Sequence, residues 1–521
     1  MTRELARSLA AGLKEAGVRR MFGVPGGGPN LDMIGAAADE GIDFTLAHSE
    51  TASCIMASTF GRLTNSVGAA VVTRGPGFTS ASNGMAQALL DRYPLLLVSD
   101  TVSQASISRI GHQRLDQVAA AAPLTKFSGT LSKNSPEDAV RAAIATAMTS
   151  PRGSVHLAFD ARAEGVAAPA PVVVAPSSVE VRDQARALIA GAKRPIIVIG
   201  EDAVRSVDAV RAALAGINAP IMVTYQAMGV IPSDWPTYAG LFTGVAADRP
   251  LFADVDLLLG IGVDSIEPMP GHEPTTAPTV ILGSYAADVR YFDDPLVVIG
   301  EYTDLLADVI SIAETDWAAD AGAAWWAGRV AGLATDVEGF SPQSLVETTF
   351  EFMADALVTV DAGAHMLAVM PLWQTDEPDG VLISNGLATM GFALPAAIGA
   401  AFARPDRRVV CFTGDGGLGM VLAELEVLSR ANLNITVVVF NDATLSLIKL
   451  KQEQAQGGSG AVGYALVDFA AIANAMGLAG TVVTNVDELR ATLGTVTTGP
   501  SLIDARVDAD CYPHVIKAVR G

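Results

Sequence analysis

The sequence predicts an α/β protein built from three doubly wound parallel-sheet domains. Short apolar runs rich in Val, Ile and Leu alternate with helical patterns along most of the chain. Uninterrupted β-branched runs between helices are how strands buried on both faces of a parallel sheet read. Two stretches break the alternation and divide it in three, and 521 residues are enough for several cores of ordinary size.

The strand candidates, in order, are AAVVT, PLLLVSD, PIIVIG, PIMVTY, DLLLGIG, TVILG, PLVVIG, ALVTVDAG, RVVCFTGDG and NITVVVFND. The interruptions are the Ala- and Pro-rich ARAEGVAAPAPVVVAPSSVE (161–180) and ETDWAADAGAAWWAGRVAGLATDVEGFSP (314–342), the second expected to be partly helical. Domains are therefore expected at residues 1–165, 180–315 and 340–521. No period of 20–50 residues repeats, which argues against a solenoid.

The opening MTRELARSLAAGLKEAG reads as an amphipathic helix with Glu4 and Glu15, not as the apolar run and cleavage site of a signal peptide. No stretch reaches the roughly 18–20 uncharged apolar residues of a membrane span, so no membrane partner is expected. Cys54, Cys411 and Cys511 are far apart, without CxxC or disulfide spacing. They read as small buried residues in a reducing, cytoplasmic setting. With 17% charged residues and a formal net charge of −22, the exposed charge is mostly carboxylate, which argues against nucleic acid.

The chemistry starts at RRVVCFTGDGG (407–417), which puts Asp415 at the carboxyl end of a strand, where open α/β sheets bind ligands. VLAELEVLSRANL is predicted helical with Leu422, Leu425 and Leu428 on one stripe, and the next strand ends at Asn441 and Asp442. Both strand ends open on one edge, so Asp415 and Asp442 can converge. Two hard oxygen ligands, with glycines that let backbone amides approach, suit a Mg²⁺ bridging a diphosphate. A Gly-Asp-Gly alone reads more readily as a helix cap.

The strand-Gly-Asp-Gly-helix-strand-Asn-Asp unit resembles the thiamin diphosphate motif of the decarboxylase and acetolactate synthase family. That resemblance makes the domains pyrimidine-binding, middle and diphosphate-binding. It assigns Mg²⁺ to Asp415, Asp442 and the backbone carbonyl of Thr444, with Gly414, Gly416 and Gly417 beside the diphosphate. Asp442 replaces the family's Asn and adds a negative charge. SNGLATMGFALPAAIGAA (384–401) is similar to the aminopyrimidine block, where Met390 would be the apolar wedge and Ala388 the carbonyl that receives the amino group. In isolation Met390 reads as ordinary core. VDAGAH (360–365) is similar to a diphosphate loop, with Gly363 allowing close approach and His365 donating to phosphate, unless His365 is simply a loop histidine.

In the first domain, Glu50 stands in the first turn of a helix, where a glutamate usually complements the helix dipole. The resemblance assigns it the hydrogen bond to the pyrimidine nitrogen N1′ that activates the cofactor. AAVVTRGPGFTSASNGMAQALLDRYPLLLVSD (69–100) resembles the next family block and places Asn83 near the pyrimidine. FGVPGGGPN would form a loop over the thiazolium, with Gly27 and Gly28 toward the substrate. In RIGHQRLDQVAAAAPLTKFS (109–128), His112 is a candidate general acid and Gln113 a candidate ligand of an intermediate's hydroxyl, with surface residence the alternative for His112. In ATLSLIKLKQEQ (443–454), Leu447 and Lys451 are placed on the substrate side. Lys451 stands where the acetolactate synthase branch has tryptophan and would favour an anionic or polar substrate group, unless it is a solvated helix lysine beside Lys449.

The resemblance thus implies thiamin diphosphate-dependent, non-oxidative decarboxylation of a small 2-oxo acid, with carboligation to a second carbonyl. Two alternatives stand: a simple decarboxylase releasing an aldehyde, and a non-catalytic cofactor-binding homologue, against which intact Glu50, Gly414, Asp415 and Gly416 argue. LLLGIGVDSIEPMPG (257–271) replaces the loop through which acetolactate synthases touch FAD, and Val263, Asp264 and Ser265 supply no cation, so FAD is expected to be absent or weakly bound. GEDAVRS lacks the spaced glycines of a dinucleotide turn, which argues against a dehydrogenase. Because the family assembles its site from two chains, a homodimer at least is expected, with a tetramer open.

Overall fold

Every apolar run quoted above forms a strand, and the strands gather into three six-stranded sheets in which all pairings are parallel. The computed structural model describes residues 2–131, 136–160, 174–268, 274–286, 291–310, 312, 314–334, 339–455 and 460–521. The first sheet contains β1 (Arg20–Val24), β2 (Asp43–Leu46), β3 (Gly68–Val72), β4 (Leu95–Asp100), β5 (Phe127–Leu131) and β6 (Ser154–Phe159), in the order β2-β1-β3-β4-β6-β5. The second contains β7 (Pro195–Ile199), β8 (Ile221–Val223), β9 (Tyr238–Leu241), β10 (Leu257–Ile261), β11 (Thr279–Gly283) and β12 (Leu296–Ile299), in the order β12-β11-β10-β7-β8-β9. The third contains β13 (Leu357–Val360), β14 (Val381–Ile383), β15 (Val409–Gly414), β16 (Ile435–Phe440), β17 (Ala479–Val483) and β18 (Ser501–Ala505), in the order β14-β13-β15-β16-β18-β17.

The outer two sheets share one topology. In each, the strand order reverses between the first strand and the third, and the crevice beyond such a switch point is where open α/β sheets bind ligands. In the middle sheet the switch lies between β7 and β10, the order of a dinucleotide-binding fold.

The first and third domains meet through equivalent elements, the helix Glu50–Thr64 after β2 and the helix Ala393–Ala403 after β14. Their facing residues are small, among them Ala57, Ala396, Ala397 and Ala400, all fully buried in one core. Gly399 sets the approach, since a Cβ there would lie 2.3 Å from the Met56 carbonyl oxygen. All three cysteines are buried and unpaired, as expected.

The helix predicted over residues 421–433 forms in part, and a separate short helix precedes it. The helix Asp415–Val421 gives way to a 3₁₀ turn, Leu422–Glu424, and a second helix, Leu425–Arg430. Val421 leaves the helical region at φ −129° and ψ 20°, and the glycine-rich first helix has little intrinsic propensity to continue. Leu425 and Leu428 are buried, whereas Leu422 is only half-buried. Of the first interruption, residues 161–173 lie outside the described residues, and its end enters the helix Val179–Gly191, capped by Ser178. The second is partly helical, Ala321–Ala331, and packs on β9 through Trp326, edge-on to Tyr238 with centroids 6.2 Å apart. Among the described residues no helix is long and apolar enough to cross a membrane.

Candidate functional site

Strand register places the acidic pair. Gly414 on β15 lies opposite Phe440 on β16, so Asp415 and Asp442 leave the sheet at nearly the same level of the switch-point edge. Asp415 opens its helix. Its Oδ1 accepts the Gly416 N–H at 2.6 Å, while its buried Oδ2 has no hydrogen-bond partner. Asp442 Oδ1 accepts the Thr444 N–H at 2.9 Å, and its Oδ2 accepts the Ser446 hydroxyl. Burial, and next the charge of Asp442, push Asp415 up to about 6. Burial raises Asp442 as well. Two mutually repelling carboxylates with an unsatisfied buried oxygen form the donor set that a hard divalent cation satisfies.

Beside them lies a cavity of about 220 Å³, whose lining includes Gly363, His365, Met390, Gly416, Asp442 and Leu447. His365 is buried with its ring stacked on Phe440, centroids 5.2 Å apart, and its Nε2 has no partner. Burial pushes its imidazole down to about 4, so a neutral ring faces the cavity. The glycines are spatially required: a Cβ on Gly363 would lie 2.6 Å from the His365 ring, one on Gly416 2.9 Å from Leu445, and one on Gly417 2.2 Å from Asp361 Oδ2. A Cβ on Gly414 would stand 3.3 Å from the His365 ring. The cradle therefore fits a diphosphate, with main-chain groups able to approach it closely.

Met390 is half-buried at the cavity wall, and Ala388 is exposed in the left-handed region at φ 54°. Between them, Thr389 exchanges hydrogen bonds with Asn83, whose Nδ2 donates at 2.8 Å. Asn83 thus reaches the Met390 block of its own chain.

In the first domain, the Gly-Pro-Gly turn sits between the other predicted residues. A Cβ on Gly77 would be 3.2 Å from Glu50 Oε1, and one on Gly75 2.9 Å from the Gln113 Cβ. Glu50 and Gln113 are half-buried, Gln113 with φ 54°, whereas His112 is exposed. Gly27 and Gly28 are exposed ahead of the helix Pro29–Asp39. Lys451 is exposed and outside the cavity lining; the cation that favours ionised Asp442 is Lys449. Of the four predicted substrate-side positions, the two on the helix Ser446–Ala455 therefore separate, Leu447 to the cavity and Lys451 to solvent.

Two acidic residues escaped the sequence reading. Asp361, at the end of β13, is fully buried and accepts the N–H groups of Gly391 (3.0 Å) and Phe392 (3.2 Å) and the Thr413 hydroxyl (3.0 Å). It joins β13, β15 and the Met390 loop, and burial raises it to about 6. Its signal was present, since Asp361 ends its strand as Asp415 does. Glu424, almost fully buried, accepts the N–H groups of His48 (3.1 Å) and Ser49 (2.9 Å), immediately before Glu50. Nothing local in the sequence marks it.

Among the described residues, the switch point of the middle sheet is crossed by the protein's own polar contacts. Arg92 Nε donates to Asp264 at 2.8 Å, and Tyr285 also donates to Asp264. Arg62 reaches Glu201 at 3.0 Å and Asp379 at 2.7 Å. Glu267 accepts the N–H groups of Glu201 and Asp264 and the Thr224 hydroxyl. A gap of about 10 Å³ remains.

Three family models match the chain in order: the N-terminal TPP binding domain of thiamine pyrophosphate enzymes over residues 3–120, their central domain over 182–286, and their C-terminal TPP binding domain over 361–505. Among similar proteins, an acetolactate synthase of Bacillus subtilis is 30% identical, with 95% of this chain and 92% of that protein aligned. The acetolactate synthase isozyme 1 large subunit of Escherichia coli is 27% identical over 96% of this chain and 94% of its own, and the isozyme 3 large subunit 28% identical over 94% and 91%. With this agreement along nearly the whole length, and a cradle whose chemistry fits the cofactor, the chain belongs to the thiamine pyrophosphate enzymes and uses thiamin diphosphate.

Proposed function

We propose that the protein is an acetolactate synthase-like carboligase, which decarboxylates a small 2-oxo acid and joins the remaining acyl unit to a second carbonyl. The observation that carries the reading is the convergence of Asp415 and Asp442 beside a cavity bounded by His365 and Met390. Asp415, Asp442 and the Thr444 carbonyl would hold Mg²⁺, and Gly363, Gly414, Gly416 and Gly417 would leave room for the diphosphate. Neutral His365 would donate a hydrogen bond to a phosphate oxygen, and Met390 would press against the rings, near Ala388 and Asn83. Bound thiamin diphosphate supplies the nucleophilic carbon and the electron sink for decarboxylation. Glu50 would hold the proton at the pyrimidine N1′, while Gln113, across the Gly-Pro-Gly turn, would bind a polar group of the substrate. His112 and Lys451, exposed as they are, would act only from the rim, and Gly27 and Gly28 would bound the substrate side.

We assign the site to two chains. The cavity lining is drawn from residues 362–512 alone, and Glu50 faces its own Gly-Pro-Gly turn. Met420 and Tyr464, both exposed, line an adjoining hollow that shares Asp415 and Gly416 with the cavity, an apolar rim suited to a second copy. A homodimer is the minimum unit on this reading. FAD would be absent or weakly bound on this reading, since Arg92, Tyr285 and Glu267 stand at the middle-sheet crevice.

The test is turnover of pyruvate with thiamin diphosphate and Mg²⁺, without FAD, comparing acetolactate, acetaldehyde and carbon dioxide by mass spectrometry, with Glu50→Gln as control. Acetolactate that disappears in the control supports the carboligase. Acetaldehyde as the sole product overturns it in favour of a decarboxylase.

A further inference from the structure

We infer that Glu424 is a positioning residue that fixes the orientation of Glu50. The inference rests on the role proposed above for Glu50, and its evidence is geometric. Glu424 lies in the 3₁₀ turn nine residues after Asp415. Its carboxylate crosses to the first domain, where Oε1 accepts the N–H groups of His48 at 3.1 Å and Ser49 at 2.9 Å, and Oε2 approaches the His48 N–H at 3.2 Å.

These are the last main-chain donors before the helix Glu50–Thr64. Ser49 is that helix's N-cap, and its hydroxyl accepts the Ala52 N–H at 3.1 Å. Glu424 takes the Ser49 N–H and the Ser49 hydroxyl takes the Ala52 N–H, two of the donors that a helix start leaves without intrahelical partners, and Glu50 directly follows the residue so held.

The surrounding contacts separate this role from plain stabilisation. The same segment bonds to two more residues of the Glu424 module: His48 Nε2 meets Glu426 at 2.9 Å, and Arg430 donates to the Leu46 carbonyl at 2.6 Å. Both contacts are solvent-exposed, where water competes for the same groups and such contacts hold weakly. Glu424 is only 1% exposed, where water does not compete for its hydrogen bonds. Farther along, the helix is already gripped through its body, where Met56 packs on Gly399. Loss of the Glu424 carboxylate therefore frees the first turn while the rest of the helix stays docked. A catalytic group released in this way loses rate out of proportion to the change in fold.

The module also begins with Asp415, so one short stretch of chain bears a cation ligand at one end and the clamp on the Glu50 segment at the other.

The test uses the full-length protein, with Glu424→Gln and Glu50→Gln variants, and two readouts besides turnover. Hydrogen–deuterium exchange of the apo protein, followed by mass spectrometry, reads amide protection across residues 46–52. Exchange of the thiazolium C2 proton of bound thiamin diphosphate, read by NMR after acid quench, reports on activation. Glu424→Gln is expected to lose amide protection and to slow C2 exchange at least about tenfold, with cofactor affinity within about threefold of wild type. Wild-type protection and C2 exchange in Glu424→Gln would overturn the inference. So would a parallel fall in Tm, cofactor affinity and exchange, the mark of a merely structural residue. Glu424→Asp, which keeps the charge on a shorter stem, is expected to recover part of both readouts, and it carries the test if the Gln variant does not fold. Unchanged C2 exchange in Glu50→Gln would instead overturn the role of Glu50, while the amide data would still show whether Glu424 holds the segment.

Discussion

Replacing Glu267 with Gln should change how stability depends on pH. Glu267 is buried at the switch point of the middle sheet, with Glu201 and Asp264 beside it and, among the described residues, no cation paired to it. Burial pushes its carboxyl from the ordinary 4.5 up to about 8. Thr224 can accept from the protonated acid while the other oxygen takes both backbone N–H groups, so the neutral form is accommodated. The folded-state value lies above the unfolded one, so the folded protein holds this proton more tightly. The stabilisation is complete below pH 4.5 and is lost as pH rises through about 8. At about 1.4 kcal/mol per pH unit, the whole interval amounts to ~5 kcal/mol, of which ~3 kcal/mol falls between about pH 5.5 and 8. Glu267→Gln removes this dependence and adds a fixed cost, because its NH₂ must face a donor. Urea unfolding at pH 5.5 to 8.5, followed by tryptophan fluorescence, reports on the region through Trp235, Trp317, Trp325 and Trp326. The wild type should lose stability relative to the variant by roughly 3 kcal/mol across that range. Parallel pH profiles for the two proteins would refute a neutral Glu267.

Arg62→Met strips the buried Glu201 of its closest cation and leaves Asp379 to Arg205 alone, so a loss of ~3–5 kcal/mol is expected by calorimetry; an unchanged Tm would contradict it. Gly417→Ala drives a methyl to 2.2 Å from Asp361 Oδ2, and should cost ~1–3 kcal/mol together with thiamin diphosphate affinity, measured by fluorescence titration. Asp442→Asn removes one of two converging charges, so Mn²⁺ affinity without the cofactor should fall about tenfold in a paramagnetic resonance titration. Equal affinities would show that Asp442 does not contribute its charge to the cation.

Much of this was legible in the sequence, for identifiable reasons. Buried parallel strands announce themselves as apolar runs, and the runs marking β3, β7, β10, β15 and β16 needed no tertiary information. Asp415 and Asp442 were visible because strand ends are and because one register relates them. The edge strand β17, AGTVV, is half exposed and lacks the apolar signal. The break after Val421 was hidden by leucines at helical spacing, because the pattern does not show that Glu424 is drawn toward another domain. Glu424 and His48 are 376 residues apart, and a lone glutamate in a helical stretch looks like any solvated one. Which helix lysine stands beside Asp442 was not legible, because helical phase cannot be read across residues 443–445; it is Lys449, while Lys451 lies outside the cavity lining.

The shared topology of the outer sheets has a consequence for how the molecule is put together. Each sheet contributes the helix after its second strand to their common boundary, so the contact joins like with like, in the manner of an isologous interface between identical subunits. One end of this quasi-symmetric pair has specialised: the helix after β2 begins with the acid Glu50, and the turn before the helix after β14 bears the apolar Met390. A single chain thus sets two like elements back to back, one face beginning with Glu50 and the other preceded by Met390. Substitutions at Met56 or Gly399 act on both faces at once, because the two helices share that one seam.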